Sequence, residues 1–174
     1  MSKQRMKPEH IFLSHNSADT DYCSKLAAAL TATGAHVWFD KWRVKPGDSI
    51  PLKIESGLQG CSIFVLVWSA NAESSPWVRT EVEAALARYL KAEGCRLVPI
   101  ILDDTPIPLL IRSLHHINAR TRDPIGVAKE LLGIESDAQY RIAVQHFINE
   151  AGLTFQDFPG VDVLVGCPRC GAPL

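Results

Sequence analysis

The sequence predicts an α/β protein built on a flavodoxin-like, doubly wound, five-stranded parallel sheet. Short apolar runs alternate with longer stretches of helical periodicity along most of the chain, the pattern of strand–crossover–strand units. The run Ser62–Ser69 is apolar on both faces, as a central strand covered by helices on each side must be. At 174 residues, 47% of them hydrophobic, the chain has the length and composition for one domain with a proper core and a short appendage.

Each element has its own signal. The first strand is His10–Ser14. The helix after it is capped by Asp19 or Thr20, carries Tyr22, Leu26, Ala29 and Leu30 at helical spacing, and has Gly34 as its stop. His36–Asp40 is the second strand. The polar stretch Lys41–Asp48 follows, with a Pro46-Gly47 turn signal, and leads into a helix around Ile50–Leu58. After the third strand a second polar loop, Ala70–Pro76, precedes a helix from about Trp77 to Ala92, where Ser74 or Ser75 caps and Pro76 starts the first turn. Arg96–Leu102 is the fourth strand and ends in Asp103-Asp104. A Pro-containing connection leads to a weak fifth strand near His116–Ala119, and helical sequence resumes over Pro124–Leu132 and about Ser136–Glu150. The folded domain is thus placed at residues 9–151, and residues 152–174 read as a linker entering something else.

Composition excludes several classes of function. Eighteen Lys and Arg against 19 Asp and Glu leave a formal net charge of −1, which argues against a nucleic-acid binder held by phosphate neutralisation. No run approaches the ~20 apolar residues of a membrane span, and the basic N-terminus lacks the apolar run of a signal peptide, so a cytoplasmic protein is expected. The five cysteines are scattered and odd in number, unlike a disulfide framework. Neither GxGxxG nor GxxxxGK[ST] is present, nor GxSxG, nor HExxH.

In a doubly wound sheet, ligands bind outside the carboxyl ends of the strands, where the strand order reverses. That rule selects Ser14-His15-Asn16, Asp40 to Gly47, Ser69 to Trp77 and Asp103-Asp104. The most informative stretch is Ser74-Ser75-Pro76-Trp77-Val78-Arg79-Thr80-Glu81, in which Trp77 and Glu81 stand one helical turn apart on one face. Two readings of that pair stand side by side. One is a solvated helix glutamate with a tryptophan packed on the sheet edge; the other is a carboxylate beside an indole in a cleft, able to bind sugar hydroxyls or stabilise developing positive charge. Glu83 points about 200° away from Glu81 around the helix, and Glu73 lies in the preceding loop. His115 and His116 lack companions at metal-ligand spacing and read as satisfied or solvated side chains, and His15 is discounted alike apart from its place on the rim.

The segments Ile11-Phe12-Leu13-Ser14-His15, Val37-Trp38-Phe39-Asp40 with Lys45-Pro46-Gly47-Asp48-Ser49-Ile50, Phe64-Val65-Leu66-Val67-Trp68-Ser69, Trp77-Val78-Arg79-Thr80-Glu81 and Leu97-Val98-Pro99-Ile100 follow one another in a telling order. Together, over about residues 9–135, they resemble the TIR (Toll/interleukin-1 receptor) domain, specifically its bacterial branch. The resemblance implies cleavage of NAD+ between nicotinamide and ribose, yielding ADP-ribose or a cyclic isomer. It puts the catalytic carboxylate on Glu81, with substrate contacts from Trp77, Phe12, Ser14, Trp42, Arg43 and Lys45. It also implies head-to-tail association with other TIR domains through the BB loop, residues 41–48, and a setting in bacterial antiphage defence. No cofactor is required, NAD+ being the substrate. The competing expectation is a non-enzymatic TIR scaffold, which has no use for a carboxylate at that place.

Near the end, Gly166-Cys167-Pro168-Arg169-Cys170-Gly171 looks like one knuckle of a zinc ribbon. A structural zinc site wants four ligands, so Cys167 and Cys170 form at most half of one. Either the chain is a fragment whose continuation completes the site, which is the expectation favoured here, or two chains share a metal.

Overall fold

The computed structural model describes residues 9–39, 61–74 and 95–151. Within them the chain forms β1 (His10–Ser14), a 3-10 turn (Ser17–Asp19), α1 (Thr20–Thr31), β2 (His36–Trp38), β3 (Ile63–Trp68), α2 (Ala70–Glu73), β4 (Arg96–Ile101), α3 (Leu109–Arg112), β5 (Ile117–Asn118), α4 (Pro124–Leu132) and α5 (Asp137–Ala151). All strand pairs are parallel and the order is β2-β1-β3-β4-β5. This is the expected doubly wound sheet. In register, Phe12 stands between Trp38 and Phe64, and Val65 opposes Val98.

Alternation along the strands sorts the core into two layers. On one face Ile11, Leu13, Ile63, Val65, Val67, Ile100 and Ile117 pack against Leu26 and Leu30 of α1 and Val127, Ala128 and Leu131 of α4. On the other face Phe12, Phe64 and Cys95 form one cluster, and Trp68, Ala72, Ile101 and Ile111 another. Burial of β3 on both faces matches its unbroken apolar sequence.

Local chemistry explains the helix ends. Asp123 accepts the Gly126 N–H at 2.5 Å as the N-cap of α4, Pro124 starts the first turn, and Gly133 closes the helix at φ 68°. Gly34 takes φ 88° in the turn from α1 to β2, where its α-carbon faces the ring of Phe147 on α5. The Tyr140 hydroxyl donates to the Ala29 carbonyl at 2.8 Å, tying α5 to α1.

Three elements differ from expectation. β2 ends at Trp38, two residues before Asp40. The polar stretch expected as a loop from Ala70 begins instead with one helical turn, α2, because Ser69 is a competent N-cap whose Oγ accepts the Ala72 N–H at 3.2 Å. The Pro-containing connection holds α3, in which the Ile111 and Arg112 N–H groups donate to the Pro108 carbonyl. The helices expected around 50–58 and 77–92 lie outside the described residues. No helix among the described residues is long and apolar enough to cross a membrane.

Candidate functional site at the carboxyl rim

The chain runs from β1 outward to β2 and then returns to the other side of β1 as β3, so the strand order reverses between β1 and β3. The loops leaving those two strands face each other at that point, and polar side chains bridge them. Asp19, at the foot of α1, accepts from the Ser69 hydroxyl at 2.6 Å through Oδ2 and from the Asn71 amide at 2.7 Å through Oδ1. Asn16 donates to the Asn71 carbonyl at 2.9 Å while its own Oδ1 accepts the Ala18 N–H at 2.9 Å. Both Asp19 oxygens are therefore committed to fastening α2 against the start of α1. The carboxylate is a clamp rather than a free base.

A second clamp comes from β4. Asp103 accepts the Ala70 N–H at 2.9 Å and the Thr105 N–H at 3.0 Å. Burial alone would raise its carboxyl, but the bonds from Thr105 and Ala70, with Arg120 nearby, outweigh it and hold the pKa below the ordinary value. Arg120 Nε is shared between the Asp103 carbonyl at 2.8 Å and the Asp104 carboxylate at 2.7 Å. Trp68 donates to the Pro106 carbonyl at 3.1 Å, fixing the same connection to the end of β3. The α2 turn is thus held from both neighbouring strands, and with it the point from which the chain departs toward residues 75–94.

His15 sits beside these clamps. Its ring stacks on Phe39 with centroids 5.0 Å apart, and Nε2 lies 3.2 Å from the Thr20 hydroxyl. Its Nδ1 is buried with no partner among the described residues. Burial lowers its pKa and favours the neutral imidazole, opposed by the charge of Asp19 and by the Leu13 backbone.

Of the expected substrate contacts, Phe12 and Ser14 are described. Phe12 is fully buried at 0% exposure, its ring stacked on Trp38 at 4.6 Å and Phe64 at 5.0 Å. Ser14 is also buried, at the carboxyl end of β1 opposite Leu66. Both side chains lie beneath the rim surface. Glu81, Trp77, Trp42, Arg43, Lys45, Cys167 and Cys170 lie outside the described residues. Glu73 is exposed on α2, and His115 is exposed before β5. Among the described residues no group of three or more His, Cys, Asp or Glu side chains is arranged to hold a metal. The Asp19–Ser69–Asn71 bridge was not foreseen; its visible trace in the sequence is Asn16-Ser17-Ala18-Asp19, an Asx-turn pattern directly after a strand.

Fold and rim together define a doubly wound α/β domain whose switch point is pinned by polar bridges. A family profile described as the TIR domain matches residues 11–132. The chain belongs to the TIR domain family. It is 36% identical over 86 residues to the 2' cyclic ADP-D-ribose synthase AbTIR of Acinetobacter baumannii, an alignment covering 48% of this chain and 32% of that protein. It is 34% identical over 95 residues to the NAD(+) hydrolase PdTIR of Paracoccus denitrificans, covering 53% of this chain and 31% of that protein. The chain thus spans about a third of the length of these curated relatives. The TIR domain of the Toll-related receptor TRR-2 from Hydra magnipapillata superposes with a TM-score of 0.53 at 12% identity, over 76% of this chain and 98% of that domain, a likeness of fold.

Proposed function

We propose that this TIR domain cleaves NAD+ at the bond between nicotinamide and ribose, releasing nicotinamide and ADP-ribose or a cyclic ADP-ribose isomer. The observation that carries the reading is similarity to relatives named as an NAD(+) hydrolase and as 2' cyclic ADP-D-ribose synthases, at 34 to 36% identity. Glu81 is the proposed catalytic carboxylate. Nicotinamide departs as a neutral molecule from a cationic ring and needs no general acid. The ribose left behind has oxocarbenium character, which a carboxylate stabilises electrostatically while holding the ribose hydroxyls. Trp77, one turn earlier, is proposed to line the same cleft, and Trp42, Arg43 and Lys45 to meet the nicotinamide, ribose or phosphates. Phe12 and Ser14 are buried, so their part is to support the rim from below.

The proposed setting is the bacterial cytoplasm, in defence against phage, with activity switched on when TIR domains assemble through residues 41–48. Zinc at Cys167 and Cys170 is proposed only as a half-site completed by further ligands, and metal analysis of the purified protein checks it.

The test is nicotinamide release from NAD+ by concentrated protein. Wild type is expected to cleave, and Glu81→Ala to lose at least about 100-fold in rate with its thermal unfolding unchanged. Retained cleavage in Glu81→Ala removes Glu81 from the mechanism. Absence of cleavage in an enforced assembly of the wild type moves the protein to the interaction-module branch.

A further inference from the structure

We propose that Cys61 and Cys95 form a thiol–disulfide exchange site at the amino-terminal edge of the sheet, entered through Cys61 by low-molecular-weight disulfides of the glutathione class. The site stands apart from the carboxyl rim and does not depend on the NAD+ reading. Parallel pairing of β3 and β4, with Ile63 opposite Arg96, brings the residues entering the two strands side by side. The sulfurs of Cys61 and Cys95 lie 3.2 Å apart, one thiol donating to the other. A covalent S–S bond is about 2 Å long, so closure needs an approach of about 1 Å, within reach of small side-chain rotations.

The two thiols pack on the same cluster of Phe12 and Phe64 but differ in exposure. Cys61 is half-buried, whereas Cys95 is buried. The hydrogen bond with Cys95 holds the Cys61 thiol below its ordinary pKa despite partial burial, and the same contact, together with burial, pushes Cys95 up. Cys61 is therefore the attacking thiol and Cys95 the resolving one. Cys23 is fully buried in the other layer of the core, and burial pushes its pKa up to about 12, so it stays inert.

The exchange balances without further oxidant. The Cys61 thiolate attacks one sulfur of a disulfide RSSR, the S–S bond breaks, and the departing thiolate takes up a proton as RSH. Cys95 then gives up its proton and attacks Cys61 Sγ of the mixed disulfide, expelling a second RSH. Two protein thiols are oxidised to one disulfide and one RSSR is reduced to two RSH. The cross-link encloses residues 61–95, which include β3, α2 and the stretch bearing Trp77 and Glu81.

The test treats the full chain with oxidised glutathione, blocks remaining thiols with N-ethylmaleimide, and maps the cysteine peptides by mass. Wild type is expected to give a linked Cys61–Cys95 peptide pair lighter by two hydrogens, with Cys23 alkylated. Any bond between Cys167 and Cys170 is assigned separately by the same map. In Cys95→Ser the Cys61 glutathione adduct should accumulate at least about tenfold over wild type, because nothing resolves it. In Cys61→Ser, Cys95 should react at least about tenfold more slowly than Cys61 does in wild type. The proposal is overturned if Cys61 and Cys95 are both found alkylated in treated wild type, or if the Cys61 adduct is no greater in Cys95→Ser than in wild type.

Discussion

At the scale of single residues, the Tyr22 hydroxyl works against the core. Tyr22 lies in α1 against the main apolar layer, and its hydroxyl is buried with no partner among the described residues. Such a group pays its desolvation cost without a compensating bond. Tyr22→Phe is therefore expected to leave stability unchanged or raise it by up to about 1 kcal/mol at neutral pH. Burial first, then the neighbouring Cys23 and Asp123, push the phenol from its ordinary 10.0 up to about 12. A raised pKa means that the unfolded chain ionises first. The contribution to stability is thus whole below pH 10.0 and lost as pH rises toward about 12. The advantage of Tyr22→Phe should therefore widen across that interval. Tyr140, also raised by burial, is present in both proteins and drops out of the difference. Urea unfolding of the two proteins over that pH range measures it. A variant less stable by more than about 1 kcal/mol at neutral pH would mean that the hydroxyl has a partner.

Between elements, Asp19 joins the start of α1 to the end of β3 and to α2. Asp19→Ala takes the acceptor from Ser69 and Asn71 together, and leaves Ser69, the N-cap of α2, buried with its hydroxyl proton unpaired. Because Asp19 and Asn71 are reached by water, the expected loss is about 1–2 kcal/mol, read as a lower urea midpoint with an unchanged slope. An unchanged midpoint would show that the bridge adds nothing to the fold. Asp19 also shows where sequence reasoning stops. β1, β3 and α4 were legible because their signals are local: unbroken apolar runs for the strands, and Asp123-Pro124 with Gly133 framing the helix. α2 was not legible, since one turn has no periodicity to detect. Nor was the bridge, whose partners are 50 and 52 positions apart and meet only through the pairing of β1 with β3. The place of the rim was legible because strand order follows from chain topology, while the depth of Phe12 and Ser14 depends on which neighbours cover the second face of the sheet.

At the scale of the whole molecule, the proposed activity should depend on concentration. The described rim is held by internal bonds at α2, whereas residues 41–48 read Lys-Trp-Arg-Val-Lys-Pro-Gly-Asp, a tryptophan set among three cations next to a turn signal. Trp and Arg are the residue types most often found as contact anchors, and loops on a rigid sheet commonly carry recognition. If that stretch meets a different surface of the next copy, the contact is heterologous and does not close on itself, so open arrays grow with concentration. On the proposed reading each added domain completes a site at the junction, and activity per molecule follows the assembled fraction. Removing one anchor costs on the order of 2 kcal/mol per contact, or about 30-fold in the association constant, enough to dissolve a weak array. Specific activity of wild type is expected to rise with protein concentration, and the rise in Trp42→Ala to be displaced to about 30-fold higher concentration, with a lower plateau from the lost substrate contact. Nicotinamide release measured from nanomolar to high micromolar protein, alongside light scattering, follows both quantities at once. A flat specific activity at an appreciable rate would mean that one copy suffices; an unchanged plateau in Trp42→Ala at full assembly would mean that Trp42 meets the neighbouring domain and not the substrate.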